Sequence, residues 1–130
     1  MGQRFSGLVT ADTSIVTTTE TVLATVSNVS TSRGGSKVTL VGSVQMTVGA
    51  SVTALTFRWR RGTDATGTLI GEANAVQIET AAGSTEDHVH TVEDAGVDLV
   101  NASYVLTVQQ TAATGNGSAL QVEAWADTTP

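Results

Sequence analysis

The sequence predicts an all-β chain, an antiparallel sandwich or barrel of eight or nine short strands, and three observations point there. Thr (23), Val (18), Ala (16), Gly (13) and Ser (11) supply 81 of the 130 residues. Branched Val and Thr suit a pleated surface and lose rotamer freedom in helices. Apolar and polar residues alternate with period two over most of the chain. Clusters of Gly, Ser, Asn and Asp break that alternation at short intervals, as turns between strands do. One Lys and eight Leu are too few to build amphipathic helices. A composition 40% apolar and 14% charged is that of a packed chain, not an open one.

Taken in order, residues 1–13 show little periodicity and carry Gly2, Arg4, Phe5 and Gly7. They read as an N-terminal arm, leaving 14–130 as a single domain. Strands are expected at 14–18 and 21–29, followed by the turn Ser32-Arg33-Gly34-Gly35-Ser36. Over 38–48, Val38, Leu40, Val44, Met46 and Val48 alternate with Thr39, Ser43, Gln45 and Thr47, the pattern of a half-buried antiparallel strand. After Gly49-Ala50-Ser51, Leu55, Phe57 and Trp59 alternate with Thr56, Arg58 and Arg60. The run Gly62-Thr63-Asp64-Ala65-Thr66-Gly67 turns the chain into strands at 68–71 and 75–80, and Ala82-Gly83-Ser84 leads to a strand at 86–92. Tyr104, Leu106 and Val108 form one closing strand, and Leu120, Val122 and Ala124 the other, across the turn Thr114-Gly115-Asn116-Gly117-Ser118. The one Pro is Pro130, so no strand is interrupted by proline.

Two stretches carry a resemblance. The strand Phe57-Arg58-Trp59-Arg60-Arg61-Gly62 running into Gly67-Thr68-Leu69-Ile70-Gly71-Glu72, with the closing hairpin Ser103–Gln110 to Ala119–Ala124, resembles small jelly-roll proteins of tailed-phage virions. Such domains are similar in outline to the tumour-necrosis-factor-like trimeric jelly roll. The resemblance implies an antiparallel β-sandwich of jelly-roll type with about eight short strands. It further implies a homotrimeric capsid decoration (cement) protein on the surface of a virion, partnered by the major capsid protein and by copies of itself, with no cofactor and no chemistry of its own. The other reading it leaves open is the receptor- or carbohydrate-binding head of a phage fibre.

Composition excludes several classes. With no Cys there are no disulfides, thiolate metal sites or Cys nucleophiles. A net charge of −6 with six Lys and Arg argues against nucleic acid as a partner, because the phosphate backbone rewards clustered cations. No run approaches a bilayer span, and Met1-Gly2-Gln3-Arg4-Phe5-Ser6 lacks a secretory hydrophobic core, so no membrane association is expected. Gly2 and Ser6 match the myristoylation pattern, which short sequences meet by chance. The sequons at Asn28, Asn101 and Asn116 arise cheaply in a chain so rich in Ser and Thr.

Enzymatic templates do not fit. No Gly-rich phosphate loop or Gly-x-Ser-x-Gly is present, and nothing selects a triad or a carboxylate pair among twelve acids, so no enzyme is expected. His88 and His90 sit two apart and share one face of a strand with Glu86, an arrangement that permits a metal. A closed site needs a further ligand. The pair therefore reads as solvated or facing another subunit, with no metal. Arg58 and Arg60 fall opposite the presumed core face of Trp59, suited to pairing with acids on a neighbouring strand or to an acidic partner surface. Trp125 lies out of phase with Leu120, Val122 and Ala124, so it is either an outward interface anchor or a residue re-phased inward by a bulge. Together with arm contacts from Arg4 and Phe5, the expected partner interface is Arg4, Phe5, Arg58, Arg60 and Trp125.

Overall fold

The computed structural model describes residues 3–16, 18–31, 35–47, 53–78, 85–110 and 117–129. Its strands are β1 (Gln3–Val16), β2 (Thr21–Val29), β3 (Ser36–Thr47), β4 (Thr53–Arg61), β5 (Thr68–Ile78), β6 (Thr85–Val97), β7 (Ala102–Gln110) and β8 (Gly117–Thr129). They form two four-stranded antiparallel sheets, ordered β1-β8-β3-β6 and β2-β7-β4-β5. The pairs β1/β8, β2/β7, β3/β6 and β4/β5 are the rungs of one long hairpin with its tip at the β4–β5 turn. Rolling that hairpin so that successive rungs alternate between sheets gives a jelly roll.

Period two decides which side chains meet between the sheets. Val38, Leu40, Val44 and Met46 of β3 are buried, while Thr39, Val41, Ser43 and Gln45 face outward and are half-buried. In the opposing sheet Leu55, Phe57 and Trp59 of β4 and Tyr104, Leu106 and Val108 of β7 point inward. Trp59 has 0% exposure, and its Nε1 donates to the carbonyl of His90 at 3.2 Å, so its polar atom is satisfied inside the core. Gly42 occupies the inward position between Leu40 and Val44.

The strand expected at 21–29 is β2 with those bounds, whereas β1 and β6 run well beyond the expected 14–18 and 86–92. The two strands expected at 68–71 and 75–80 are one, β5, interrupted by a register shift opposite Phe57 and Trp59. Gly71, at φ 67°, supplies the left-handed turn of that irregularity.

Of the residues expected to form an arm, 3–13 lie in a strand. From Gln3 onward they belong to β1, which pairs with β8 from Gln3 opposite Thr128 to Val16 opposite Gly117, with one shift between Thr10 and Ser14. An edge strand is held by ladder hydrogen bonds along one side and needs no strict apolar alternation, which is why composition hid it. Phe5 packs against the core cluster instead of reaching away from the sandwich.

Candidate functional site

Trp125 projects from the outward face of β8, between Glu123 and Asp127 and opposite Val41 of β3. The register shift in this strand pair lies between Gln45 and Met46, away from the Trp, so Trp125 keeps its outward phase. It is half-buried. The Arg4 guanidinium stands 5.1 Å from its ring centroid and is bidentate to Asp127, at 2.7 and 2.9 Å. Asp127 thus fixes Arg4 over the indole in a cation–π contact, and its hydrogen bond to the guanidinium raises the already high Arg4 pKa. Two of the expected interface residues, Arg4 and Trp125, are brought together in this way.

Beside them, Ser43 and Gln45 of β3, Asp87 of β6 and Glu123 of β8 line a depression of about 340 Å³. Glu123 lies opposite Ser43, and Asp87 opposite Gln45, so the two carboxylates flank two neutral hydrogen-bonding side chains. Val89, 60% exposed, sits across from Ser43. No sequence pattern marks this depression, because it is assembled from three strands.

Arg58 and Arg60 face outward on the other sheet, as alternation requires, but they do not stand free. Glu20, in the connection ahead of β2, accepts from Arg58 Nη1 at 3.2 Å, from Arg60 Nε at 2.6 Å and Nη2 at 3.0 Å, and from the Thr107 hydroxyl at 2.7 Å. Arg58 also donates to Gln109 and Arg60 to the carbonyl of Gly67. The hydrogen bond from Arg60 leads the interactions that hold the Glu20 carboxyl below its usual range. The acid partner is therefore a residue outside the strands, not one on a neighbouring strand. Under this clamp Thr107 and Val105 are fully buried although they lie on the outer side of the sheet.

At one end of the sandwich Asp94 of β6 accepts from Arg61 of β4, at 2.8 to 3.0 Å, and from the Tyr104 hydroxyl of β7 at 2.6 Å. Burial, reinforced by the carboxylate, pushes the Tyr104 pKa well above its ordinary value. The triad ties the two sheets together.

His88 and His90 do share a face, and it is the inner one. His90 is 9% exposed, and the Nε2 atoms of both rings are buried without a hydrogen-bond partner. His88 lies against Phe57, ring centroids 5.8 Å apart. Burial lowers the His90 pKa, opposed by a hydrogen bond to the backbone of Glu72. The solvated or subunit-facing reading is corrected accordingly. Among the described residues no group of three or more His, Asp or Glu converges to hold a metal ion.

Neither a protein-family model nor a curated protein sequence matches the chain. Solved structures do. One, of the infectious bursal disease virus Gx strain, aligns over 98% of this chain with a TM-score of 0.64 and 13% identity. A second, the VP2 subviral particle of the same virus, aligns over 98% with a TM-score of 0.59 and 14% identity. The chain spans about a third of those proteins, 35% and 32% of their lengths. At that identity the likeness is one of fold: the chain shares the jelly-roll architecture of proteins from a viral particle.

Proposed function

We propose that the protein is a structural component of a virion, a capsid decoration protein that trimerises on the shell surface and stabilises it. The observation that carries the reading is the match of nearly the whole chain to a jelly roll in a virus particle. The strand order β1-β8-β3-β6 over β2-β7-β4-β5 supports it, since this arrangement serves shell-building and surface-binding proteins. The described polar clusters do structural work: Glu20 clamps two arginines, and Asp94 links the sheets. A cementing protein acts through contacts that bridge shell subunits and favour the assembled state by mass action. A net charge of −6, with each described Lys and Arg facing a carboxylate, leaves no unpaired basic surface for nucleic acid among the described residues.

The test is co-sedimentation of the purified protein with shells assembled from the major capsid protein of its own virus, together with light scattering of the free protein. The expected results are saturable binding, higher shell melting temperature and a mass near three times 13.3 kDa. A monomer that leaves shells untouched, yet binds defined saccharides on a glycan array, would replace this reading with that of a fibre head.

A further inference from the structure

We propose that the outward face of the β1-β8-β3-β6 sheet docks a cationic protein surface, one that places Arg or Lys side chains in the depression between Asp87 and Glu123. The proposal rests on the virion reading and deepens it by naming the face and the chemistry of the partner. Register builds the face row by row. Gln45 stands opposite Asp87, the next outward row sets Ser43 between Glu123 and Val89, and the one after sets Val41 between Trp125 and Thr91. Anionic groups and apolar groups are therefore adjacent: a depression of about 340 Å³ with a carboxylate on either side, and beside it Val89 at 60% exposure and the half-buried Trp125 and Val41.

Charge selects the occupant. Among the described residues the cations are already engaged: Arg4 with Asp127, Lys37 with Glu93, Arg58 and Arg60 with Glu20, and Arg61 with Asp94. Asp87 and Glu123 face none of them. A second copy of this chain, at a net charge of −6, would meet the depression with further negative charge, whereas the Arg or Lys side chains of a cationic protein would pair with the carboxylates on either side. The apolar neighbours supply the dehydrated contact that a charge pair needs in order to hold. Arg4, fixed by Asp127, holds the indole in place before binding, so little side-chain freedom is lost there. On the opposite sheet the outward Arg58 and Arg60 are covered by Glu20.

Two measurements test this. Titration of the isotope-labelled protein with a tetra-arginine peptide, followed by amide shifts, is expected to perturb Ser43, Gln45, Asp87, Val89 and Glu123. Shifts centred on Glu72 and Asp98 instead would overturn the proposal. In co-sedimentation with shells, the double variant Asp87→Lys/Glu123→Lys is expected to bind at least tenfold more weakly than the parent, while Leu69→Lys on the other sheet binds as the parent does. Raising salt from 50 to 500 mM should weaken the parent and leave the double variant little changed. If the parent binds shells and the double variant binds equally well, this face is not the docking surface and the virion reading stands. If the parent binds no shells, the virion reading falls, and the peptide titration alone decides the face. Light scattering closes the remaining route: a double variant whose own oligomeric mass changes would make the face a self-association surface and overturn the proposal.

Discussion

The Cδ2 atom of Leu106 lies 2.5 Å from the point a Cβ on Gly42 would occupy, with Cδ1 at 3.1 Å and Cγ at 3.4 Å. Leu106 reaches from β7 across the sandwich into the space left by the missing side chain on β3, and it is 1% exposed, so it has no solvent to retreat into. This is how the two sheets close together at the middle of the core. Gly42→Ala should therefore destabilise the fold by about 1–3 kcal/mol through overpacking. Leu106→Ala should cost about 2–5 kcal/mol through the cavity it leaves. In the double variant the new methyl enters that cavity, so the two costs should sum to more than the measured one. Urea denaturation of all four proteins gives the coupling; strict additivity would mean that Leu106 has another place to go.

Much of this packing is legible in the sequence, and the exceptions have specific physical reasons. Alternation placed Trp59 inward and Arg58 and Arg60 outward, because period two is a property of the backbone, and left Trp125 either on the polar face of β8 or re-phased inward by a bulge. It could not orient β6. There Val89 and Val92 have opposite phase, and the structure exposes the first at 60% and buries the second at 9%. That choice carries His88 and His90 inward with Val92. The identity of the arginines' partner was illegible for another reason: Glu20 lies outside the strands and reaches them only after the chain has folded back over the sheet. The Asp87–Glu123 depression likewise joins residues 36 positions apart that share a surface only through β3, as the register gives.

Glu20→Gln removes the charge that two guanidinium groups share. Their side chains are 20% and 18% exposed, so water replaces the lost interaction only in part. The expected loss is about 1–3 kcal/mol at pH 7, read from chemical denaturation. The folded carboxyl titrates below the unfolded value of 4.5, with the Arg60 hydrogen bond its leading cause. Its contribution is complete above pH 4.5 and lost as pH falls through the folded value. Parent and variant should accordingly converge in stability in strong acid; a gap that persists there would point to shape and not charge as the cause.

Acid should also act through His90, in a different window. Burial depresses its folded pKa below 6.5, so the neutral ring's contribution is complete above pH 6.5 and disappears as pH falls through the folded value. A charged ring would carry a proton on an Nε2 that has no acceptor. The neighbouring acids do not remedy this: Asp94 is committed to Arg61 and Tyr104, and the Glu72 side chain is exposed. Denaturation midpoints measured from pH 7.5 to pH 5 should fall for the parent and fall less for His90→Gln, whose amide can still donate to the Glu72 backbone. Equal slopes would show that His90 is not the responsible group.

Removing residues 1–10 separates an arm from a strand by experiment. If the segment were loose, its loss would leave the melting temperature of the free protein unchanged. As β1 it pairs with β8 from Gln3 opposite Thr128 to Thr10 opposite Gln121 and sets Phe5 against the core. Deletion therefore frees a row of backbone groups on β8, uncovers apolar surface beneath Phe5 and strips Arg4 from Trp125. A loss of a few kcal/mol corresponds to roughly 10 °C for a domain of this size. The newly open β8 edge should also promote strand-to-strand association, visible as a rise in scattered light on heating. Phe5→Ala keeps the ladder and removes only the packing, so it should lower the melting temperature by less than the deletion. If the two changes cost the same, the ring and not the strand pairing secures this end of the sheet; if neither costs anything, the pairing with β8 contributes nothing to the stability of the free protein.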